Sequence, residues 1–197
     1  MRRGERTVIG LAGNIGSGKS TAADYFKRFG SRRIEADRIG RRILQHCRVR
    51  LSKRFGTEIL KGGRIDRKKL RAAVFTDQAH VRFLNRLTHP RLIKAIRSRI
   101  KKIGSGVIVI DAALLFEWPE LMADIDHPIL VTASRNNKER RALRKGIDRQ
   151  TFKRILRHQK SEKALSRQAE YVIRNDRSRQ DLYRQCYRIW KEIKNDC

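Results

Sequence analysis

The residues best suited to chemistry lie near the N-terminus, where Gly13-Asn14-Ile15-Gly16-Ser17-Gly18-Lys19-Ser20 completes a G-x-x-x-x-G-K-S phosphate loop. Glycines at those positions let the backbone turn tightly and aim its N–H groups at a polyphosphate. Lys19 supplies a mobile cation for the terminal phosphates, and the Ser20 hydroxyl is a natural oxygen ligand for Mg²⁺. The flanks suit the motif. Residues 7–12 form a short apolar run that reads as a buried strand, and residues 21–29 read as a helix with Ala22, Phe26 and Phe29 on one face. Strand, loop and helix N-terminus together make an anion site in which the helix dipole reinforces the N–H donors.

Such a loop announces a nucleoside triphosphate without naming the reaction. Three further features narrow it. Asp37 follows a short apolar segment at Ile34, which places it near the carboxyl end of a sheet. There it can accept a hydrogen bond from an acceptor hydroxyl and align it for in-line attack on the γ-phosphate, or it can cap a helix over residues 38–47. Asp111 ends the apolar run of residues 107–110, the place of a Walker B acid that holds Mg²⁺ directly or through water, or that bonds to the loop hydroxyls. Arg141 and Arg144, three residues apart on one helical face, can join Lys19 in neutralising the transferring phosphoryl group.

The elements that must position these groups follow from periodicity. Apolar runs at residues 7–12, 106–111, 128–131 and 171–173, with a shorter one at 33–35, alternate with helical patterns and read as a parallel sheet covered by helices. The long interval after Asp37 reads as a helical insertion, with one helix capped by Asp66 and another starting at His89-Pro90. Residues 135–157 carry ten Lys or Arg against two acids. Two helices with a turn near Gly146 give a cationic hairpin, read as a lid that closes over phosphates or, alternatively, as one solvated basic face. Ser178-Arg179-Gln180-Asp181 is a capping pattern that opens a C-terminal helix, whose stripe of Leu182, Cys186, Ile189, Trp190 and Ile193 reads as core packing.

The 197 residues suffice for one α/β domain with insertions. No apolar run reaches the roughly 18 residues of a membrane span, and residues 7–12 are too short for a signal-peptide core, which points to the cytoplasm. Cys47, Cys186 and Cys197 are widely spaced, show no metal-ligand pattern and read as idle or buried thiols. The formal charge of +29 is spread over the helices. It reads first as a general basic bias on solvated faces; it would also suit an anionic nucleotide substrate, with non-specific binding to nucleic acid at low salt as a further reading.

Taken in order, these motifs resemble the dephospho-CoA kinase family over almost the whole chain. The resemblance rests on residues 11–20, Glu35-Ala36-Asp37-Arg38-Ile39, Phe55-Gly56, Ile65-Asp66-Arg67, Leu87-Thr88-His89-Pro90, Leu114-Leu115-Phe116-Glu117, residues 154–159 and residues 169–175. It implies a P-loop fold similar to nucleoside monophosphate kinases: a parallel five-stranded sheet (residues 1–37, 104–134 and 160–197), a helical substrate domain (38–103) and a basic lid (135–159). It implies ATP with Mg²⁺, dephospho-CoA as acceptor, transfer to the ribose 3′-hydroxyl, and a monomer or weak oligomer. By the same resemblance Asp37 matches the catalytic aspartate. Asn14, Ile15, Gly16, Ser17, Gly18, Lys19, Ser20 and Thr21 match the ATP phosphate site. Arg67, His89, Leu115, Phe116 and Glu117 match positions near the acceptor, and Arg141 and Arg144 match lid arginines. Ala12, Asn14, Glu35, Ala113, Lys138, Glu170 and Arg177 depart from the usual family residues, while Lys19, Ser20 and Asp37 are kept. Two other readings are a deoxynucleoside kinase, against which Asp-Ala-Ala-Leu-Leu-Phe-Glu speaks, and an ATP-switched nucleic-acid-binding protein, for which only the charge speaks.

Overall fold

The computed structural model describes residues 6–195, so Cys197 lies outside the described residues. In chain order, β1 (Arg6–Ala12) leads through the glycine loop to α1 (Lys19–Arg28), then β2 (Arg32–Glu35), α2 (Ala36–His46) and α3 (Arg48–Phe55). A hairpin of β3 (Leu60–Lys61) and β4 (Arg64–Ile65) precedes α4 (Arg67–Val74) and the long α5 (Gln78–Lys102). There follow β5 (Gly106–Asp111), α6 (Pro119–Met122), β6 (His127–Thr132), α7 (Arg135–Arg144), α8 (Arg149–Arg157), α9 (Glu162–Ser166), β7 (Tyr171–Arg174) and α10 (Arg179–Asn195).

Two compact units emerge, one of residues 1–35 with 100–197 and one of residues 36–99. The first is built on a parallel sheet of order β2-β5-β1-β6-β7. Its strands are continuous apolar runs because parallel strands are covered on both faces. On one face Ile9, Leu11, Val107, Val109, Ile129, Val131 and Ile173 pack against Ala22, Ala23 and Phe26 of α1 and Leu182, Cys186, Ile189, Trp190 and Ile193 of α10. Ser178 caps α10 as its sequence promises, its hydroxyl accepting from the Asp181 N–H at 3.1 Å. Burial pushes the Cys186 thiol up to about 12, so it behaves as a small apolar group. Because β1 is central, the loop at its C-terminal end emerges between β5 and β6, with Asp111 in register with Leu11.

The second unit is helical apart from its hairpin. Asp66 caps α4, its carboxylate accepting from the Lys68 and Lys69 N–H groups at 2.8 and 3.2 Å. Those two bonds hold the Asp66 carboxyl below its ordinary value. The hairpin turn Gly62-Gly63 uses positive φ at both residues, the requirement of a tight two-residue connection. Its signal, adjacent glycines between Lys61 and Arg64, was legible but weak for strands only two residues long.

Two sequence expectations need correction here. No helix starts at His89-Pro90, because Pro90 lies inside the 25-residue α5. Proline cannot donate to the carbonyl one turn back. Side chains bond the neighbouring carbonyls instead, Thr88 Oγ1 donating to Leu84 O at 2.8 Å and Arg91 Nη1 to Leu87 O at 2.6 Å. Buried Leu87, Leu92, Ile93 and Ile96 hold the helix through the interruption. Nor does Asp37 cap a helix. α2 starts at Ala36, which puts Asp37 inside its first turn, where a carboxylate complements the dipole without closing a cap.

Candidate active site

Gly16 and Gly18 have φ of +76° and +96°, a region that L side chains rarely adopt. A Cβ on Gly16 would also sit 2.3 Å from the Lys138 carbonyl oxygen, and one on Gly18 would sit 2.0 Å from Asn175 Nδ2. The loop can therefore take this path only with glycine at both positions. Among the described residues, the N–H groups of Gly16, Gly18, Lys19 and Ser20 are not engaged, whereas those of Ile15, Ser17 and Thr21 already donate to Gln159 Oε1, Asn14 O and Gly18 O. Four such donors at a helix N-terminus are able to receive an anion, and the other loop residues hold the loop's shape. Ser20 is exposed there, while Asn14 and Ser17 are buried.

Much of the bracing comes from distant segments. Asn175 Nδ2 donates to Ser17 O at 2.8 Å, and Asn14 Nδ2 to Lys160 O at 3.2 Å. Arg141 donates from Nη1 to Gly16 O and Ser17 O, both at 3.3 Å, and from Nη2 to Asn175 O at 2.8 Å. Arg141 holds the carbonyl side of the loop, away from its N–H donors, while Arg144 is exposed at the end of α7. Burial and the neighbouring Arg140 draw the Arg141 guanidinium down from its ordinary value, and Asp176 opposes them. The base of the hairpin is fixed by Asp176, which accepts from the Ser134 N–H at 2.7 Å and from Asn137 Nδ2 at 2.9 Å. Buried Lys138 pairs with Glu162 at 2.7 Å. Gly146 turns the chain between α7 and α8 at φ +74°, as expected.

Asp111 is 5% exposed, and both its oxygens are engaged, one by Lys19 Nζ and the other by Arg33 Nη2. The Lys19 contact was foreseeable from the two motifs. Arg33 was missed, since no local pattern marks it. It enters because β2 pairs with β5 in a register that sets Arg33 opposite Val109 and Glu35 opposite Asp111.

The acceptor-side residues divide. Leu115 and Phe116 are 0% and 3% exposed, and Leu115 fills the space above Gly10 on β1. Both are buried, while Leu114 and Glu117 are the exposed members of that segment. Partial burial pushes the Glu117 carboxyl up, and Lys160 opposes the shift. In the helical unit, His89 is half-buried on α5, and Arg67 is exposed at the start of α4. Arg67 lines a cavity of about 310 Å³ with Arg41, Arg42, Gln45, His46 and Ile65. Asp37 is exposed and lies one helical turn before Arg41 on the same face of α2. Asp37 and part of a cationic cavity thus lie on one helix.

Comparison with known proteins bears on the family and the fold. The family model described as dephospho-CoA kinase matches residues 7–181. The dephospho-CoA kinase of Aquifex aeolicus is 32% identical over 95% of this chain and 98% of its own. A crystal structure of a Thermus thermophilus protein superposes with a TM-score of 0.83 at 28% identity, covering 95% and 98% of the two chains. The structure of dephospho-CoA kinase from Campylobacter jejuni shares the fold, with a TM-score of 0.63 at 23% identity over 95% and 97%.

Proposed function

Because the chain belongs to the dephospho-CoA kinase family, we propose that it moves the γ-phosphate of ATP to the ribose 3′-hydroxyl of dephospho-CoA, giving coenzyme A and ADP. The family match across residues 7–181 carries this reading. The geometry supports it. The loop offers four unengaged N–H donors and Lys19 to the triphosphate. The helical unit offers Asp37 to the incoming hydroxyl and a cavity rich in arginine to the acceptor's diphosphate. Phosphoryl transfer asks for little more than alignment and charge neutralisation.

Mg²⁺ fits the oxygen donors present. Among the described residues no cluster of three or more His, Cys, Asp or Glu side chains forms a dedicated cage. Mg²⁺ is ordinarily held by one or two protein oxygens together with substrate phosphates. Ser20 would hold it, joined by the Asp111 oxygen that Lys19 frees when it turns to the phosphates, and it would neutralise phosphate charge. Free, buried thiols at Cys47 and Cys186 suit a cytosolic setting. Among the described residues no helix is long and apolar enough to cross a membrane.

Incubating the purified protein with ATP, Mg²⁺ and dephospho-CoA tests the proposal, with CoA read by mass spectrometry and ADP by a coupled assay. Turnover of a deoxynucleoside but not of dephospho-CoA overturns it. The cavity has its own consequence. Arg67→Ala is expected to raise KM for dephospho-CoA about tenfold, the loss of one charge-assisted contact, with KM for ATP unchanged. A rise in both constants would deny the cavity its acceptor role.

The charge of +29 supports a second, weaker interaction with nucleic acid. Its affinity for single-stranded oligonucleotides should fall linearly with the logarithm of salt concentration, as phosphate neutralisation releases counterions. A salt-independent affinity in a filter-binding titration would refute it.

A further inference from the structure

The pairing of Lys19 with Asp111 raises a question that the proposed chemistry leaves open. Lys19 must leave this acid to reach a triphosphate, yet Asp111 is 5% exposed. Separating a buried ion pair is costly because it leaves an uncompensated charge in a poorly hydrated site. Arg33 supplies the missing partner. Its side chain is 15% exposed, and its Nη2 donates to the Asp111 oxygen that Lys19 does not use. Its Nη1 bonds Asp24 Oδ1 at 2.6 Å, so a second carboxylate holds the guanidinium in place from α1. Nε is buried and finds no hydrogen-bond partner among the described residues. The planar guanidinium is thus committed to bridging these two acids.

We infer that Arg33 is a positioning residue that holds the charge of Asp111 when Lys19 departs, and so makes Lys19 available to the phosphates. It touches neither substrate; its effect passes through the Asp111–Lys19 pair. With Arg33 present, release of Lys19 leaves Asp111 paired. Without it, Lys19 is the sole counter-ion of a buried carboxylate and stays there. Arginine suits the task because its fixed fork reaches two carboxylates at once, which an ammonium on a flexible stem does not do as well. This inference rests on ATP binding at the loop, as proposed above.

The test is equilibrium binding of a fluorescent ATP analogue without divalent metal, so that no metal ion substitutes for the missing charge. The wild-type protein binds the analogue, and ATP displaces it; absence of binding would count against the proposed nucleotide site itself. Arg33→Met is expected to weaken binding about tenfold, while Arg33→Lys, which keeps a cation, retains most of it. The deciding measurement is a double-mutant cycle with Asp111→Asn. In that background Lys19 has no carboxylate to leave, so Arg33→Met should change affinity by less than about twofold. If Arg33→Met weakens binding equally in both backgrounds, Arg33 acts as a general positive charge and the inference fails. It fails too if binding is unchanged in the wild-type background. Thermal melts monitor folding, and Arg33→Gln, neutral but able to hydrogen-bond, replaces the methionine variant in the same cycle should that variant not fold.

Discussion

Replacing Asp37 with asparagine should lower kcat by about 10²–10⁴-fold, the range lost with a catalytic acid–base group, while the affinity for ATP stays that of the wild type. An amide of the same shape cannot draw the proton of the acceptor hydroxyl toward it as a carboxylate does. The structure removes the competing explanation for this residue, because α2 begins before Asp37 and does not use it as a cap. Stability should therefore change by no more than about 0.3–1 kcal/mol, the size typical of a first-turn charge. Steady-state kinetics with dephospho-CoA, a thermal melt and an ATP titration separate these effects. A variant with wild-type kcat would strip Asp37 of its catalytic role and leave it as a dipole-facing surface acid.

The second large effect is expected for Lys19→Ala. Loss of the only side-chain cation within the loop motif should cost about 10²–10³-fold in kcat, the size associated with removing one preorganised donor from developing charge. Folding should tolerate the change because Arg33 remains on Asp111. A kcat within a few-fold of wild type would exclude Lys19 from transition-state stabilisation, whatever happens to KM. An unfolded variant would show instead that Arg33 alone cannot balance Asp111, which would contradict the part assigned to it here.

Arg141 shows how a correct motif can acquire a different physical meaning. Its place on a cationic hairpin suggested a clamp on the transferring phosphate, with Arg144 beside it. In the folded chain it donates to loop carbonyls 125 and 124 residues away in sequence, and Arg144 faces solvent. Bonds from Arg141 and Asn175 on the carbonyl side leave the N–H groups free to face the nucleotide. Preorganisation of that kind costs no rearrangement when substrate arrives.

The substrate-side segment carries the same lesson. Leu115 and Phe116 lie within a recognisable run, but apolar side chains next to a sheet have a core to fill, and these two fill it. Glu117, the next residue, remains accessible. Sequence spacing located the segment; only the packing shows which of its members are buried.

What the sequence determined by itself was local. The glycines of the loop, the Asp66 and Ser178 caps and the turn at Gly146 each depend on one residue type and its close neighbours. The five strands and the C-terminal helix followed from hydrophobic periodicity, which burial against a common sheet imposes on the chain directly. Pro90 marks where local rules stop. Its preference for a first turn was real, but packing of Leu87, Leu92, Ile93 and Ile96 outweighed it. Only the tertiary structure decided which charges meet: Arg33 reaches Asp111 across 78 residues, and Arg141 reaches the loop across more. No periodicity encodes such pairs, because strand order and register bring them together, and those are properties of the assembled sheet.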